Sequence, residues 1–351
     1  MRGIFLPGGR RVEIRDRHVG EPGYGEVRLS MRAAGLCGSD LHMHYRPAPE
    51  LRHGPVFGLR TDPDIVPGHE PAGVVESVGT GVDHLRVGDR VAVHHMAGCG
   101  HCVWCRRGWD INCRQKWGTY GLDRPGAMQD AMIVRARDCV RVPDNVTMAE
   151  ASYYTCGAGT GYLALTRAGF APQDVVTVVG LGPVGLAAAY FAALSGALVI
   201  GFDPIAQRRK FAADLGIQYT FDPAGLDAAA AVADLTAGAG ASIVIESSGA
   251  SAGRLAGLEA AGIGARMVLV GFADPETTID VQQLIIQKQM DVRGAWMFPI
   301  TQLQDMLDDV SRRNISIESL ITGRYSLDDA ADAWRVFDRG ALGKTLITWV
   351  N

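Results

Sequence analysis

The segment CGHCVWCRRGWDINC carries Cys99, Cys102, Cys105 and Cys113 in a C-x2-C-x2-C-x7-C array. Short loops of this kind fold several sulfurs around one point, which is what tetrahedral zinc closed by four thiolates requires. Iron–sulfur clusters use similar spacing, but nothing nearby points to a second cluster or an electron-transfer partner. A four-thiolate site has no open coordination position, so the expected role is structural: zinc holding a lobe at about residues 95–115. A second stretch, AAGLCGSDLHMHY, places Cys37, Ser39, Asp40, His42 and His44 together. Farther on, IVPGHEPAGVV supplies His69 and Glu70, and SYYTCGAGTGY supplies Cys156. Two cysteines and a histidine are one recognised ligand set for catalytic zinc, which keeps a fourth position open. Taken singly each residue is weak evidence, because a histidine in a proline–glycine loop is more often a structural hydrogen-bonder than a ligand. Cys139, among strand-like neighbours, reads as a small apolar residue.

A third cluster lies in VVTVVGLGPVGLAAAYFAALSGALVIGFD, where Gly180, Gly182 and Gly185 stand at G-x-G-x-x-G spacing with Pro183 and Val184 between them. Gly180 permits a tight turn, Gly182 lets backbone approach a pyrophosphate, and Gly185 lets helix and strand pack closely. The anion then sits on unpaired N–H groups at the helix start. Asp203 ends the next strand at about the expected 20-residue distance. A carboxylate there accepts hydrogen bonds from ribose hydroxyls and repels a 2′-phosphate, which favours NAD over NADP. Arg208 and Arg209 follow on the next helix, where an arginine can stack on adenine or attract phosphate.

Two kinds of element must position these groups. The first 150 residues are rich in glycine, proline and short β-type runs such as EVRLSMRAAG, AGVVESVG, DRVAVHH and DAMIVRARDCVRV. From about 150 onward, apolar strands DVVTVVG, ALVIGFD, SIVIESS and ARMVLVGF alternate with alanine-rich helical stretches, the pattern of a doubly wound parallel sheet. The alanine-biased run from Ala224 to Ala241 is one such helix. The last 60 residues return to a mixed pattern: an amphipathic helix ITQLQDMLDDVSRRN, a second helix SLDDAADAWRVFDRG with Ser326 as its expected N-cap, and a closing strand KTLITWV. The fold class is therefore α/β with two domains, as 351 residues also suggest.

Composition excludes several functions. A net charge of −4 gives no reason to expect nucleic acid or an anionic membrane as partner. The amino-terminal segment MRGIFLPGGRRVEIRD lacks the apolar run of a signal peptide. The run LGPVGLAAAYFAALSGALVIGF approaches membrane-span length, but its glycines and terminal Asp203 suit a buried helix followed by a buried strand. Seven cysteines, four of them clustered, fit metal binding in a reducing cytoplasm better than a disulfide framework.

GLCGSDLH, GHEPAGVVESVGTGV, GDRVAV, the four-cysteine loop, CGAGTGY and GLGPVG occur in one order. Together they resemble the zinc-dependent alcohol dehydrogenases of the medium-chain dehydrogenase/reductase superfamily, essentially from end to end. The resemblance implies a GroES-like, mostly-β catalytic domain at 1–155 and 296–351 around a Rossmann domain at 156–295. It implies two zinc ions per subunit, a catalytic one on Cys37, His69 and Cys156 with Glu70 as a nearby or transient ligand, and a structural one in the cysteine loop. Asp40 becomes the carboxylate that orients His69, and Ser39 starts a proton relay that runs through the ribose to His42. Zinc polarises the alcohol oxygen and the hydride passes to nicotinamide. The expected reaction is reversible oxidation of a secondary or polyhydroxylated alcohol by a cytoplasmic homodimer or homotetramer.

One departure is the long interval between Cys37 and His69, which includes His44, Arg46, Arg52, His53 and Arg60. Arg46 is the first candidate to bind an anionic group on the substrate. Trp104, Trp109, Trp117, Tyr120, Trp296, Met297 and Phe298 are assigned to core and subunit contacts. Two rival readings make different demands. A zinc-free NADPH quinone or enoyl reductase predicts missing zinc ligands and no acid at the ribose position. A non-enzymic zinc- and nucleotide-binding protein predicts loss of Ser39 and His42.

Overall fold

The computed structural model describes residues 1–47, 62–115 and 118–349. Arg52, His53 and Arg60 of the long interval, and Trp117, lie outside the described residues. The chain separates into two units, one made of Met1–Cys156 with Phe298–Asn351 and the other of Gly157–Met297.

In the first unit the strand Glu26–Gly35 organises a seven-stranded sheet. Its side chains alternate between buried and half-buried up to Ala33, with Val27, Leu29 and Met31 inside, as a strand covered on one face should. From Ala33 to Gly35 the chain is buried on both sides. Register then brings distant residues together. Ala34 pairs with Pro71, so the residues just after Ala34 lie beside those just before Pro71. On the other edge Leu346 pairs with Gly35 in the closing strand Lys344–Thr348.

The stretch DAMIVRARDCVRV, expected as one strand, is two. Ala131–Arg135 pairs with Glu26–Gly35, while Cys139–Arg141 pairs with Arg90–Val93. A 3-10 turn at Ala136–Asp138 divides them. The buried Asp138 carboxylate draws in the Arg135 guanidinium at 2.8 Å and the Tyr120 hydroxyl at 3.1 Å, which pulls the chain off the sheet. Ser326 also differs from expectation. The last helix is Ala330–Asp338, and Ser326 Oγ accepts the Asp329 N–H at 3.2 Å in the turn before it. Tyr120 and Phe298 are core residues, whereas Trp104 and Trp109 are exposed.

The second unit holds six parallel strands in the order Tyr219–Phe221, Leu198–Phe202, Val175–Val179, Ala241–Glu246, Ala261–Leu269, Asp291–Gly294. The order reverses at Val175–Val179, which opens a crevice beyond the carboxyl end of that strand. Val179, Ile200, Phe202, Val244 and Met267 form the core on one face. The long apolar run divides into helix Pro183–Leu194 and strand Leu198–Phe202. The alanine-biased stretch contributes the helix Ala228–Leu235. No helix among the described residues is long and apolar enough to cross a membrane.

Candidate active site

Cys37 opens a short helical turn, Gly38–Asp40, directly beyond the buried end of the Glu26–Gly35 strand. Asp40 folds back over this turn. One of its oxygens accepts the Cys37 N–H at 3.2 Å, and the other accepts the His69 Nδ1–H at 3.0 Å. That second bond leaves a lone pair on His69 Nε2, as a metal-binding imidazole needs. Cys156 follows the helix Met148–Tyr154, whose start is fixed by reciprocal capping between Thr147 and Glu150. The Ser152 hydroxyl of this helix donates to the Glu70 carbonyl at 2.7 Å. One donor atom from each of Cys37, His69, Glu70 and Cys156 lies within 4.8 Å of the others. Gly35 makes room for them: a Cβ there would lie 2.0 Å from Glu70 Oε2.

Two sulfurs, an imidazole and a carboxylate oxygen suit zinc. Among the described residues the buried Glu70 Oε2 has no hydrogen-bond partner, and a cation in this group would satisfy it. The other oxygen, Oε1, accepts a hydrogen bond of 2.5 Å from Lys344 Nζ, which also donates to the Leu36 carbonyl at 2.8 Å. Both side chains are at most 1% exposed. Burial pushes the Glu70 carboxyl up and Lys344 pulls it down, leaving it raised to about 7. The Cys37 thiol is held well below its ordinary range, first by a hydrogen bond from Cys156 and then by His69 against the effect of burial. Cys156, as the donor of that bond and a buried thiol, is pushed well up. Burial disfavours a charged His69, but Asp40 and Cys37 outweigh it and raise its pKa well above the ordinary value.

Lys344 was not anticipated from sequence; its one signal is a lysine opening an apolar strand. His95 was not anticipated either. It is 3% exposed, and its ring centroid lies 4.8 Å from that of His69. Burial, reinforced by His69 and His94, holds its pKa well below the usual histidine value.

Ser39 Oγ lies 3.3 Å from His69 Nε2 and donates to it. His42 sits on the following turn, Leu41–Tyr45, which Tyr45 anchors by stacking on the buried Trp334 at 5.3 Å. Arg46 Nη1 is 3.5 Å from His42 Nδ1. Arg46 Nε donates to Asp338 Oδ1 at 2.7 Å, and Arg10 takes the second oxygen of Asp338 at 2.8 Å. The guanidinium expected to meet a substrate anion is thus ion-paired to a carboxylate from the last helix.

The four-cysteine loop folds round the single helical turn Val103–Arg106. Cys102 Sγ lies 3.6 Å from Cys105 Sγ and 3.7 Å from Cys113 Sγ, and Cys99 Sγ lies 3.9 Å from Cys105 Sγ. Backbone N–H groups of Cys102 and Cys99 point at sulfurs, each at 3.3 Å. Burial raises the Cys99 thiol, but backbone and thiol hydrogen bonds outweigh it and draw it down to about 6. Cys105 moves the other way, pushed to about 12 chiefly by burial. Four converging sulfurs with shared protons are the donor set of a closed zinc site.

In the second unit Gly180 has φ +89°, and a Cβ on Gly185 would lie 1.9 Å from the Gly180 carbonyl oxygen, so neither position tolerates a side chain. Gly182 differs: among the described residues a Cβ there would meet only Arg208 Nη1, at 3.7 Å. Space therefore remains over its backbone for a ligand. Gly182 caps the helix without a side-chain bond and Pro183 fills its first turn, leaving N–H groups for an anion. Asp203 is buried at the end of Leu198–Phe202. Its oxygens accept the Leu181 and Ile205 N–H groups, each at 2.8 Å, and Arg208 Nη1 stands 3.6 Å away.

Comparison with known proteins agrees with this geometry. Residues 23–144 match the alcohol dehydrogenase GroES-like domain, and residues 183–312 match the zinc-binding dehydrogenase family. The chain is 32% identical to the uncharacterized zinc-type alcohol dehydrogenase-like protein YphC of Escherichia coli over 99% of each chain. It is 32% identical to the L-threonine 3-dehydrogenase of Pyrococcus furiosus over 95% of this chain and 94% of the relative. Its fold matches the alcohol dehydrogenase TADH from Thermus sp. ATN1 with a TM-score of 0.89 at 26% identity, over 99% of each chain. Two clustered donor sets, a glycine-rich turn at the switch point of a parallel sheet and end-to-end similarity have one explanation: the chain is an oxidoreductase of the zinc-dependent alcohol dehydrogenase family in the medium-chain dehydrogenase/reductase superfamily.

Proposed function

We propose that this protein is an NAD-linked, zinc-dependent dehydrogenase that reversibly oxidises a secondary or polyhydroxylated alcohol to the ketone or aldehyde. The observation that carries the reading is the convergence of Cys37, His69, Glu70 and Cys156 donor atoms within 4.8 Å, with His69 oriented by Asp40. Cys37, His69 and Cys156 would hold a catalytic zinc with Glu70 beside it, and Cys99, Cys102, Cys105 and Cys113 would hold a structural one. When bound, the catalytic zinc supplies Lewis acidity that favours ionisation of the alcohol, and the nicotinamide accepts hydride.

The chain's own groups prepare the site. Asp40 keeps the proton on His69 Nδ1, so that Nε2 keeps its lone pair. Ser39 Oγ, 3.3 Å from Nε2, is positioned to accept the proton lost by the alcohol. His42, with Arg46 facing its Nδ1, carries that proton outward. Lys344 keeps the Glu70 carboxylate paired in a place closed to solvent.

The preference for NAD rests on Asp203. Each oxygen keeps a lone pair beyond its backbone bond, and the carboxylate repels a 2′-phosphate. Arg208, the nearby cation that a 2′-phosphate would seek, faces Asp203. An L-threonine 3-dehydrogenase among the relatives supports a substrate whose alcohol neighbours another polar group. Metal-binding thiols support a reducing, cytoplasmic setting; a homodimer or homotetramer is part of the same reading.

The test is a panel of secondary alcohols, polyols and hydroxy acids offered with NAD and with NADP, following absorbance of the reduced nicotinamide and measuring metal on the same sample. NAD-dependent reduction and metal in both donor sets are expected. Fully active protein with metal in the cysteine loop alone refutes the catalytic assignment.

A further inference from the structure

We propose that Glu246, a buried carboxylate in the second unit, is a positioning residue for the nicotinamide half of the cofactor. It holds two loops, 247–250 and 271–277, in the shape that this half of the dinucleotide binds. The inference rests on the nicotinamide-linked reading above and adds a residue outside the glycine turn and Asp203.

Glu246 ends the strand Ala241–Glu246, which pairs with Val175–Val179, where the sheet order reverses. Its side chain is fully buried. Oε1 accepts three hydrogen bonds from the chain that follows: the Ser248 N–H at 2.9 Å, the Ser248 hydroxyl at 2.5 Å and the Gly249 N–H at 2.9 Å. Ser248 Oγ in turn accepts the Ala250 N–H at 3.1 Å, just before the helix Ser251–Ala260. One oxygen thus folds the first loop back over the end of its own strand.

That loop is pressed from two sides. The Ser247 hydroxyl donates to the Gly180 carbonyl at 2.8 Å, and a Cβ on Gly180 would lie 2.9 Å from the Ser248 nitrogen. On the other side Gly249 has φ +68°, and a Cβ there would lie 2.5 Å from the Ala273 nitrogen. The Asp274 N–H donates to the Gly249 carbonyl at 2.9 Å. Among the described residues Glu246 Oε2 has no hydrogen-bond partner, and Arg254 Nε stands 4.0 Å from it. Arg254 Nη1 donates to the Asp274 carbonyl at 2.7 Å and to the Thr277 hydroxyl at 2.9 Å. The carboxylate therefore bonds the first loop and faces the guanidinium that ties down the second. Three donors and a nearby cation offset the burial of its charge.

The place of these loops says what they serve. Val175–Val179, the glycine turn and Asp203 belong to the first half of the sheet and suit a pyrophosphate and the adenosine ribose. The loops held by Glu246 lie beyond strands of the second half, Ala241–Glu246 and Ala261–Leu269. A dinucleotide laid across a doubly wound sheet puts one mononucleotide over each half, so these loops belong to the nicotinamide. Fixing them in advance removes an ordering cost from binding.

The experiment compares NADH with ADP, which probes the first half alone, by calorimetric Kd on the full chain. Wild type, Glu246→Ala, Glu246→Gln and Ser248→Ala are titrated, with thermal unfolding on each. Glu246→Ala should weaken NADH by about 10-fold and leave ADP unchanged. Glu246→Gln keeps a carbonyl oxygen for the three donors and should recover most of the loss. Ser248→Ala removes one donor and no charge, and should shift the ratio of the two Kd values in the same direction by a smaller factor. Should Glu246→Ala fail to fold, Ser248→Ala carries the comparison. Equal loss of NADH and ADP affinity overturns the proposal, since Glu246 would then only hold the fold, and so does an unchanged ratio. Wild type that binds ADP and not NADH refutes the nicotinamide-linked reading instead, before any substitution is made.

Discussion

Cys99, Cys102, Cys105 and Cys113 come from one short loop, whereas Cys37, His69, Glu70 and Cys156 come from three separate parts of the chain. The loop group uses four identical donors, three of them half-buried, and its sulfurs are steadied by one another and by their own backbone N–H groups. The dispersed group mixes sulfur, nitrogen and oxygen, and three of its four residues are buried. Other side chains hold its members: Asp40 holds His69, Lys344 holds Glu70, and Ser152 ties down the backbone of Glu70. A closed local group can brace only its own loop. A dispersed group supported from outside can keep a lone pair and an open side, which is what catalysis requires.

That contrast gives the largest expected effect. Cys37→Ala should lower turnover on the order of a thousandfold or more while folding and nicotinamide binding persist. Cys99→Ser should instead cost stability, on the order of 4 kcal/mol. Steady-state kinetics, thermal unfolding and metal content on both variants check the division; two variants with the same profile would abolish it.

Lys344→Met sharpens the account of how the dispersed group is supported. Removing one partner strands a buried carboxylate, at a cost of roughly 3–5 kcal/mol. Adding Glu70→Gln in the same chain should restore much of that loss. Denaturant unfolding of the single and double variants reads both values, and a negligible cost for Lys344→Met would show that the pair does not support the site.

The smallest expected effect lies in the second unit. Asp203→Gly should move the ratio of kcat/KM values for NAD and NADP towards NADP by about 10-fold. An unchanged ratio would remove the ribose contact from the reading.

The groups legible in sequence are those with short spacing. The cysteine array, the glycine triplet with its flanking strand and helix, and Asp203 each needed one local pattern. Element type was also readable, although DAMIVRARDCVRV broke in two because Asp138 collects partners from Arg135 and from the more distant Tyr120. Arg46 shows the limit from the other side. Its charge is plain in the sequence, yet the carboxylate that takes it, Asp338, is 292 residues away. Lys344 offered only a lysine opening an apolar strand, since its place beside Glu70 arises from strand register.

The sequence by itself determined which residues carry metal-type donor atoms and where the glycine-rich turn stands, because donor chemistry and local spacing are properties of the chain. It also determined the two kinds of sheet, through period-two alternation in one half and apolar strands separated by helices in the other. Tertiary structure alone decided which polar groups are paired and which keep a free lone pair. Pairing depends on strands meeting at Ala34–Pro71 and Gly35–Leu346, and burial then makes each pairing, or its lack, matter energetically.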